Sequence, residues 1–114
     1  MSAAGVALDR FVQGTEGAVV ELRREAVNAV ARQRQLREEL AAIRARACAI
    51  ERQAARALER GDDLLARQVL ARGIFTLKTR DHLEAELADS RGHVARLLTT
   101  MVRAENRAWR GNGR

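Results

Sequence analysis

The sequence predicts an all-α protein that folds as a long antiparallel two-helix coiled-coil hairpin. The chain of 114 residues contains no proline and only 3% aromatic residues, and it is rich in alanine, leucine, arginine and glutamate, which are strong helix formers. Apolar and small residues recur at alternating spacings of three and four over most of the chain. This spacing is typical of the contact positions of coiled-coil helices. A single break near the middle divides the repeat into two arms.

The first 15 residues are predicted to be a separate N-terminal segment. Gly5 and Gly14 interrupt a short apolar set that includes Phe11 and Val12. Because each glycine weakens a helix by about 1 kcal/mol relative to alanine, we expect residues 1–15 to be flexible or to form only a short amphipathic segment.

The first arm of the hairpin, which begins at residue 16, carries the more regular repeat. Its predicted contact positions, which we call the seam, are Val19, Leu22, Ala26, Ala29, Gln33, Leu36, Leu40, Ile43, Ala47, Ile50, Ala54 and Ala57. Gln33 alone breaks the run of apolar residues. A repeat of this length predicts a helix whose side chains insert between those of a partner helix.

A tight turn is predicted at residues 60–63. Gly61 can adopt the left-handed backbone conformation that commonly ends a helix. Asp62 or Asp63 can accept hydrogen bonds from the first free amides of the next helix. Because the link is short, the two long helices are expected to run antiparallel.

The second arm continues the seam to residue 110, and residues 111–114 are predicted to be a disordered tail. Its seam residues are Ala66, Val69, Gly73, Thr76, Arg80, Leu83, Leu87, Ser90, Val94, Leu97, Met101 and Ala104. The register set by the turn gives the seam pairs Leu36–Leu87, Leu40–Leu83, Ile43–Arg80, Ile50–Gly73 and Leu22–Met101. We expect the stem of Arg80 to pack in the seam while its charged head reaches water.

The residue types argue against catalytic and metal sites. Cys48 is the only cysteine, so no disulfide can form within the chain, and its alanine neighbours predict a small buried residue. His82 and His93 are separated by a helical rise of about 16 Å, too far to share a metal ion. The sequence contains no glycine-rich phosphate loop and no pairing of a nucleophile with a base. We therefore predict a protein that is not an enzyme and has no catalytic residues, metal or cofactor.

The formal net charge of +6 is spread along the chain. A basic tail, or a basic patch interleaved with aromatic residues, is typical of a nucleic-acid-binding protein, and this sequence has neither. Nucleic acid is therefore not an expected partner. No stretch approaches the roughly 20 apolar residues that span a bilayer, and no signal-peptide pattern opens the chain. These features predict a cytoplasmic protein.

Apolar residues outside the seam are the candidate contacts with other molecules. Near the turn they are Leu58, Leu64, Leu65, Leu70, Ile74, Phe75 and Leu77, and towards the chain ends Val20, Val27, Val30, Leu98, Val102 and Trp109. We predict that the group near the turn mediates self-association or partner contact; the alternative is that these side chains only widen the stripe inside the hairpin. Phe11 and Trp109 are candidate lipid contacts. The alternative for Trp109 is a cap on the end of the second helix.

The residues around the turn resemble a known family. The matching residues are Ala54, Ala57, Leu58, Gly61, Leu65, Ala66, Arg67 and Leu70. They follow the turn signature of the phage-shock-protein A family, relatives of the plastid vesicle-inducing protein, in which Ala-x-x-Ala-Leu precedes a short polar link and Leu-Ala-Arg-x-x-Leu follows it. The resemblance extends more loosely over residues 19–108. Where the family commonly has Asp before Leu-Ala-Arg, this chain has Leu64, so we expect a displaced helix cap.

The resemblance implies a class of function. Family members carry an N-terminal amphipathic membrane helix and further helices after the hairpin, which support membrane binding and polymers similar to those of ESCRT-III. We therefore expect a self-associating scaffold in membrane or envelope maintenance or stress response, peripheral at the inner face of the cell membrane. Its expected partners are further copies of itself or a related hairpin protein, together with an anionic membrane surface.

The alternative is a soluble adaptor or regulator whose hairpin docks a partner helix or caps a family polymer. Residues 1–15 resemble a reduced form of the family's membrane helix, and the sequence shows no counterpart of the helices that follow the hairpin.

Overall fold

A computed structural model of the chain describes residues 3–112 and, within this range, the side chains of residues 16–107 and 109–111. The described residues form two α-helices, α1 (Ala3–Glu59) and α2 (Asp63–Asn112), and contain no strand. The helices run antiparallel on either side of a link at residues 60–62. The predicted all-α class and helical hairpin are therefore confirmed.

Both helices extend beyond the limits expected of the arms. α1 is helical from Ala3 and continues without a break through the predicted N-terminal segment. α2 continues through Gly111 to Asn112, two residues into the predicted tail. A single glycine in a helix costs only about 1 kcal/mol relative to alanine, which neighbouring helix formers can offset. The side chain of Phe11, together with residues 113 and 114, lies outside the described residues.

The link between the helices has the predicted turn chemistry. Gly61 has a φ of 75°, in the left-handed region. Its amide donates to the carbonyl of Leu58, and the amide of Asp62 donates to the carbonyl of Ala57, which together form a Schellman ending for α1. Asp62 Oδ1 then accepts a 3.0 Å hydrogen bond from the amide of Leu65 and caps α2. Asp62, rather than Asp63, is therefore the helix cap.

The chain divides into two compact units, of which the turn unit is Gln33–Asp89. Its core is a cluster of Leu36, Leu40, Leu83 and Leu87, against which Ile43 packs. Nearer the turn, Ile50 lies against Gly73: a Cβ built on this glycine would be 2.7 Å from Ile50 Cδ1. These contacts confirm the predicted register within the turn unit.

The remaining parts of α1 and α2 form the terminal unit. Its buried residues, Ala26, Val94 and Leu97, all belong to the predicted seam. Arg23 Nη2 and Glu105 Oε1 lie 3.2 Å apart and join the two helices of this unit. In both units, every predicted seam residue is buried or half-buried.

Cys48 is exposed, so the prediction that it is buried was wrong. Its neighbour Ala47 occupies the seam and is only 1% exposed. One residue further along a helix turns the side chain by about 100°. This rotation directs Cys48 away from the seam.

Candidate interaction faces outside the seam

The turn unit carries two stripes of residues beside the seam. The stripe on α1 is Arg44, Cys48, Glu51, Ala55 and Leu58, and the stripe on α2 is Leu70, Ile74, Leu77, Asp81 and Glu84. Spacings of three and four place the members of each stripe on one side of their helix. We call the two stripes together the turn face.

A shallow groove shows that the two stripes share one side of the turn unit. It is lined by Arg44, Cys48, Glu51, Arg52, Ala55, Arg80 and Glu84. Four of these residues belong to the α1 stripe, and Glu84 ends the α2 stripe. Arg44 Nε also lies 3.3 Å from Glu84 Oε1, so an ion pair ties the charged ends of the stripes together.

Arg80 is the one charged residue in the seam of the turn unit. Its side chain is 25% exposed, and its guanidinium binds Glu51 of α1 and, at 3.1 Å, Asp81 of α2. The predicted arrangement of a packed stem and a solvated head agrees with this exposure. Hydrogen bonds with Asp81 and Glu51 raise the pKa of Arg80 above its ordinary value, so the side chain stays charged at every physiological pH.

The ion pairs join residues that are several positions out of the seam register. In the seam register, the residue of α1 opposite Glu84 lies further from the turn than Arg44, its ion-pair partner. Glu51, the partner of Arg80, likewise lies nearer the turn than the residue opposite Arg80. Helical side chains lean towards the N-terminus of their own helix. In an antiparallel pair they therefore lean towards each other, and long side chains meet across a diagonal.

The apolar end of the turn face lies near the link. Leu58 and Ile74 are 55% and 48% exposed, Leu70 is also exposed, and Leu77 is half-buried. The packing of α1 against α2 thus leaves these side chains partly uncovered. They occupy adjacent stripes on one side of the turn unit, and we call them the apolar patch.

The other predicted contact residues near the turn do not join this patch. Leu64, Leu65 and Phe75 are exposed. Their positions in the α2 repeat lie on the outer surface of the helix or on the opposite side of the seam from Leu70. The seven residues predicted as one contact group therefore divide between different surfaces. The sequence signal that separates them is the phase of each residue within the three-four repeat.

The terminal unit has a corresponding pair of stripes, which we call the terminal face. The stripe on α1 is Val20, Arg23, Val27 and Val30, and the stripe on α2 is Leu98, Val102, Glu105 and Trp109. Each stripe contains one charged residue. These two residues, Arg23 and Glu105, are bonded to each other, which places the two stripes side by side.

Trp109 is 76% exposed at the end of the α2 stripe. Trp109 lies in the last turn of α2, which ends at Asn112. A row of basic residues runs along α2 on the opposite side of the seam from this stripe: Arg96, Arg103, Arg107 and Arg110. All four are exposed. Glu105 is the only acidic residue between His93 and Gly111.

No group of three or more His, Cys, Asp or Glu side chains is arranged to hold a metal ion in the described part of the chain. Within the same residues, neither helix contains a stretch long and apolar enough to cross a membrane.

A protein-family model described as the PspA/IM30 family matches residues 1–108. The chain belongs to this family. The match includes the N-terminal residues as well as the hairpin, and so extends further than the resemblance around the turn. PspA/IM30 proteins are a membrane-associated structural family rather than a family of enzymes. No curated protein and no solved structure matches the chain.

Proposed function

We propose that this PspA/IM30 chain is a self-associating coiled-coil scaffold without catalytic activity. It works in the cytoplasm, peripheral to the inner face of the cell membrane, in envelope maintenance or stress response. The proposal of self-association rests on the exposed apolar residues at the end of the turn face nearest the link. Family membership and the net charge of +6 support work beside an anionic membrane.

The turn face has the composition of a protein contact. Leu58, Leu70 and Ile74 remain exposed after the seam has formed, although burying apolar area yields about 25 cal/mol per Å². Adjacent exposed apolar side chains commonly mark interaction sites. The ion pair between Arg44 and Glu84 lies at the opposite end of the turn face, so the face combines apolar and charged residues as protein interfaces commonly do.

Sedimentation velocity of the purified protein over a range of concentrations tests this proposal. The variant Leu70→Asp/Ile74→Asp introduces two carboxylates into the apolar patch, and the control Ala71→Asp/Ala85→Asp introduces the same charge at exposed positions on the outer surface of α2. We expect the wild type and the control to form concentration-dependent oligomers and the patch variant to remain monomeric. Circular dichroism checks that all three proteins are equally helical.

A wild-type protein that sediments as a monomer at every concentration would refute self-association. Equal oligomerisation of the wild type and the patch variant would place the contact elsewhere on the hairpin.

A soluble adaptor is the second candidate function. The groove of the turn face supports it, because the groove is lined by the small residues Cys48 and Ala55 and lies on the same side of the turn unit as the apolar patch. A partner helix could lie in this groove with its apolar side on the patch. This function predicts a small defined complex, no lipid binding, and loss of partner capture in the Leu70→Asp/Ile74→Asp variant.

A further inference from the structure

We propose that four arginines of α2 are the contact of this protein with the phosphates of an anionic membrane surface: Arg96, Arg103, Arg107 and Arg110. We call them the arginine row. The inference rests on the membrane-associated part of the proposed function and assigns that contact to one side of the terminal unit. The row lies on the opposite side of the seam from the terminal face, so the contact is electrostatic and the apolar side chains take no part in it.

The first argument is the distribution of charge between the two units. Residues 90–110 of α2 contain five arginines and one acid, so this stretch carries +4 of the formal net charge of +6. The turn unit contains eleven basic and ten acidic residues and carries only +1. Residues 16–32, the described α1 side chains of the terminal unit, contain three arginines and three glutamates. The surplus of positive charge therefore lies on the last part of α2.

The second argument is that the arginine row is not neutralised within the hairpin. In the turn unit, Arg44 and Arg80 are each bonded to a carboxylate. No ion pair joins a member of the row to any residue that the structure describes. Glu105, the one acid in the same stretch of α2, is bonded to Arg23 on the other side of the seam. Four exposed guanidinium groups thus remain available to an external anion.

Two acids of α1 lie on the same side of the seam as the arginine row, namely Glu21 and Glu25. Glu21 Oε1 lies 3.8 Å from Arg24 Nη1, which offsets part of its charge. The two acids are outnumbered by the four arginines. This side of the terminal unit therefore stays positive and attracts anions.

The third argument is the shape of the row. Its members follow spacings of seven, four and three, which keep them on one side of the helix. At 1.5 Å per residue, the row extends about 21 Å along the axis of α2. The residues beside it on the outer surface of the helix are polar, namely Thr99, Thr100 and Asn106. A straight row of guanidinium groups in polar surroundings can bind the phosphates of a flat lipid surface without entering the hydrocarbon.

Lipid is favoured over nucleic acid because the row has no stacking residue beside it. Surfaces that bind nucleic acid strands commonly combine basic residues with aromatic ones. Among the described side chains of the terminal unit, Trp109 is the only Phe, Tyr or Trp residue, and it lies on the other side of the seam. Membership of a membrane-associated family also favours lipid as the source of phosphate.

A second copy of the chain fits the row less well than lipid does. The acidic residues that the turn face could offer to the row are Glu51, Asp81 and Glu84. All three are already bonded to arginines of their own chain. A contact between copies would have to break these ion pairs, whereas lipid phosphates are free to bind.

Three double variants assign vesicle binding to the row. Arg103→Gln/Arg107→Gln removes two of its charges, and Arg34→Gln/Arg37→Gln removes the same charge from exposed positions of the turn unit. Each arginine near an anionic surface contributes about fivefold in affinity, so the row variant should bind phosphatidylglycerol vesicles roughly twentyfold to thirtyfold more weakly than wild type. The control should change binding less than about threefold, because its charges lie away from the contact. Arg103→Lys/Arg107→Lys keeps the charge and should retain most of the binding. Co-sedimentation measures the bound fraction, and circular dichroism checks that all variants are equally helical.

Trp109 reports independently on the side that faces the membrane, because it is the only tryptophan in the chain. Phosphatidylglycerol vesicles with brominated acyl chains are added to the full-length protein. We expect the protein to sediment with these vesicles while the fluorescence of Trp109 is not quenched, since the row holds the other side of the seam away from the hydrocarbon. This orientation differs from the prediction that Trp109 contacts lipid. Vesicles of phosphatidylcholine should bind little protein.

Four results would overturn the inference. Equal loss of vesicle binding in the row variant and its control, or no loss in the row variant, would place the lipid contact elsewhere and leave the scaffold proposal standing. Quenching of Trp109 by brominated chains would show that the terminal face enters the bilayer. Retention on duplex DNA that depends on the row, without vesicle binding, would assign the row to nucleic acid. If no protein sediments with vesicles, both the inference and the membrane part of the proposed function fail.

Discussion

Ile50 of α1 packs directly against the backbone of Gly73 of α2. A Cβ built on Gly73 would lie 2.7 Å from both Cδ1 and Cγ2 of Ile50, closer than side-chain carbons approach one another. Gly73 is therefore in the seam because the helices come too close there for a side chain on α2. A large residue opposite a small one is the complementary packing that a coiled-coil seam requires.

We predict that Gly73→Ala destabilises the protein despite the better helix propensity of alanine. The propensity gain is about 1 kcal/mol, whereas overpacking a close contact costs about 1 to 3 kcal/mol. Gly92→Ala is the matched control, because the nearest atom to its added Cβ is the flexible guanidinium end of Arg96. Urea denaturation followed by circular dichroism should rank the variants Gly92→Ala, wild type and Gly73→Ala in decreasing stability. A Gly73→Ala protein as stable as Gly92→Ala would contradict the observed packing.

The capping of α2 gives a second prediction. Asp62→Ala removes the side-chain acceptor of the Leu65 amide and should lower the free energy of unfolding by about 1 kcal/mol. Asp62→Asn keeps an acceptor oxygen and should retain most of the stability. Asp63→Ala removes a neighbouring carboxylate in the first turn of α2 and should have the smaller effect, through the helix dipole alone. Equal losses at both aspartates would argue against Asp62 as the cap.

The leucine cluster of the turn unit gives a third prediction. Leu40 is 1% exposed, and Leu40→Ala should cost about 2 to 5 kcal/mol by removing buried methyl groups and leaving a cavity. Leu58→Ala makes the same chemical change at a residue that is 55% exposed, and it should change stability by no more than about 0.5 kcal/mol. Thermal unfolding at one protein concentration measures both. Similar losses for the two variants would mean that Leu58 is buried in solution by another contact.

The bond between Arg80 and Glu51 gives a fourth prediction. Glu51→Gln should lower the melting temperature at low salt, and 1 M NaCl should reduce the difference from wild type, because the screening length then falls to about 3 Å. Glu38→Gln removes an equivalent exposed charge of α1 as the control. The pKa of Arg80 is raised, so its stabilising effect is present below its ordinary pKa and is lost only as pH rises through the higher folded value. Between pH 6 and 9, Arg80 should therefore contribute no pH dependence. An effect of Glu51→Gln that is equal at low and high salt would rule out an ionic contribution.

The seam and its register could be predicted because burial in a two-helix pair depends almost entirely on sequence spacing. Each residue adds a fixed rotation, so the three-four repeat alone placed Leu40 beside Leu83 and Ile50 beside Gly73. The turn could also be predicted, because glycine commonly ends a helix in the left-handed conformation and aspartate commonly caps the start of one, as Gly61 and Asp62 do here.

The candidate faces could be predicted only in part from the sequence. Hydropathy identified Ile74 and Phe75 as apolar residues outside the seam, but only their phase in the repeat separates the turn face from the rest of α2. The ion pair between Arg23 and Glu105 depends on the reach and inclination of two long side chains, which spacing does not determine. The exposure of Cys48 could not be predicted for a similar reason. Its small neighbours indicate that a cysteine could be buried there, but they do not indicate the direction in which its side chain points.

The most direct test of a self-associating membrane scaffold is co-sedimentation of the full-length protein with phosphatidylglycerol vesicles at low and high salt, with a lipid-free tube at each salt concentration. We predict that the protein enters the pellet with lipid at low salt and does so less at high salt, because arginine contacts with phosphate are screened. Protein in the lipid-free pellet would show polymers that form without a membrane. A protein that stays in the supernatant of every tube would contradict the membrane scaffold and favour the soluble adaptor.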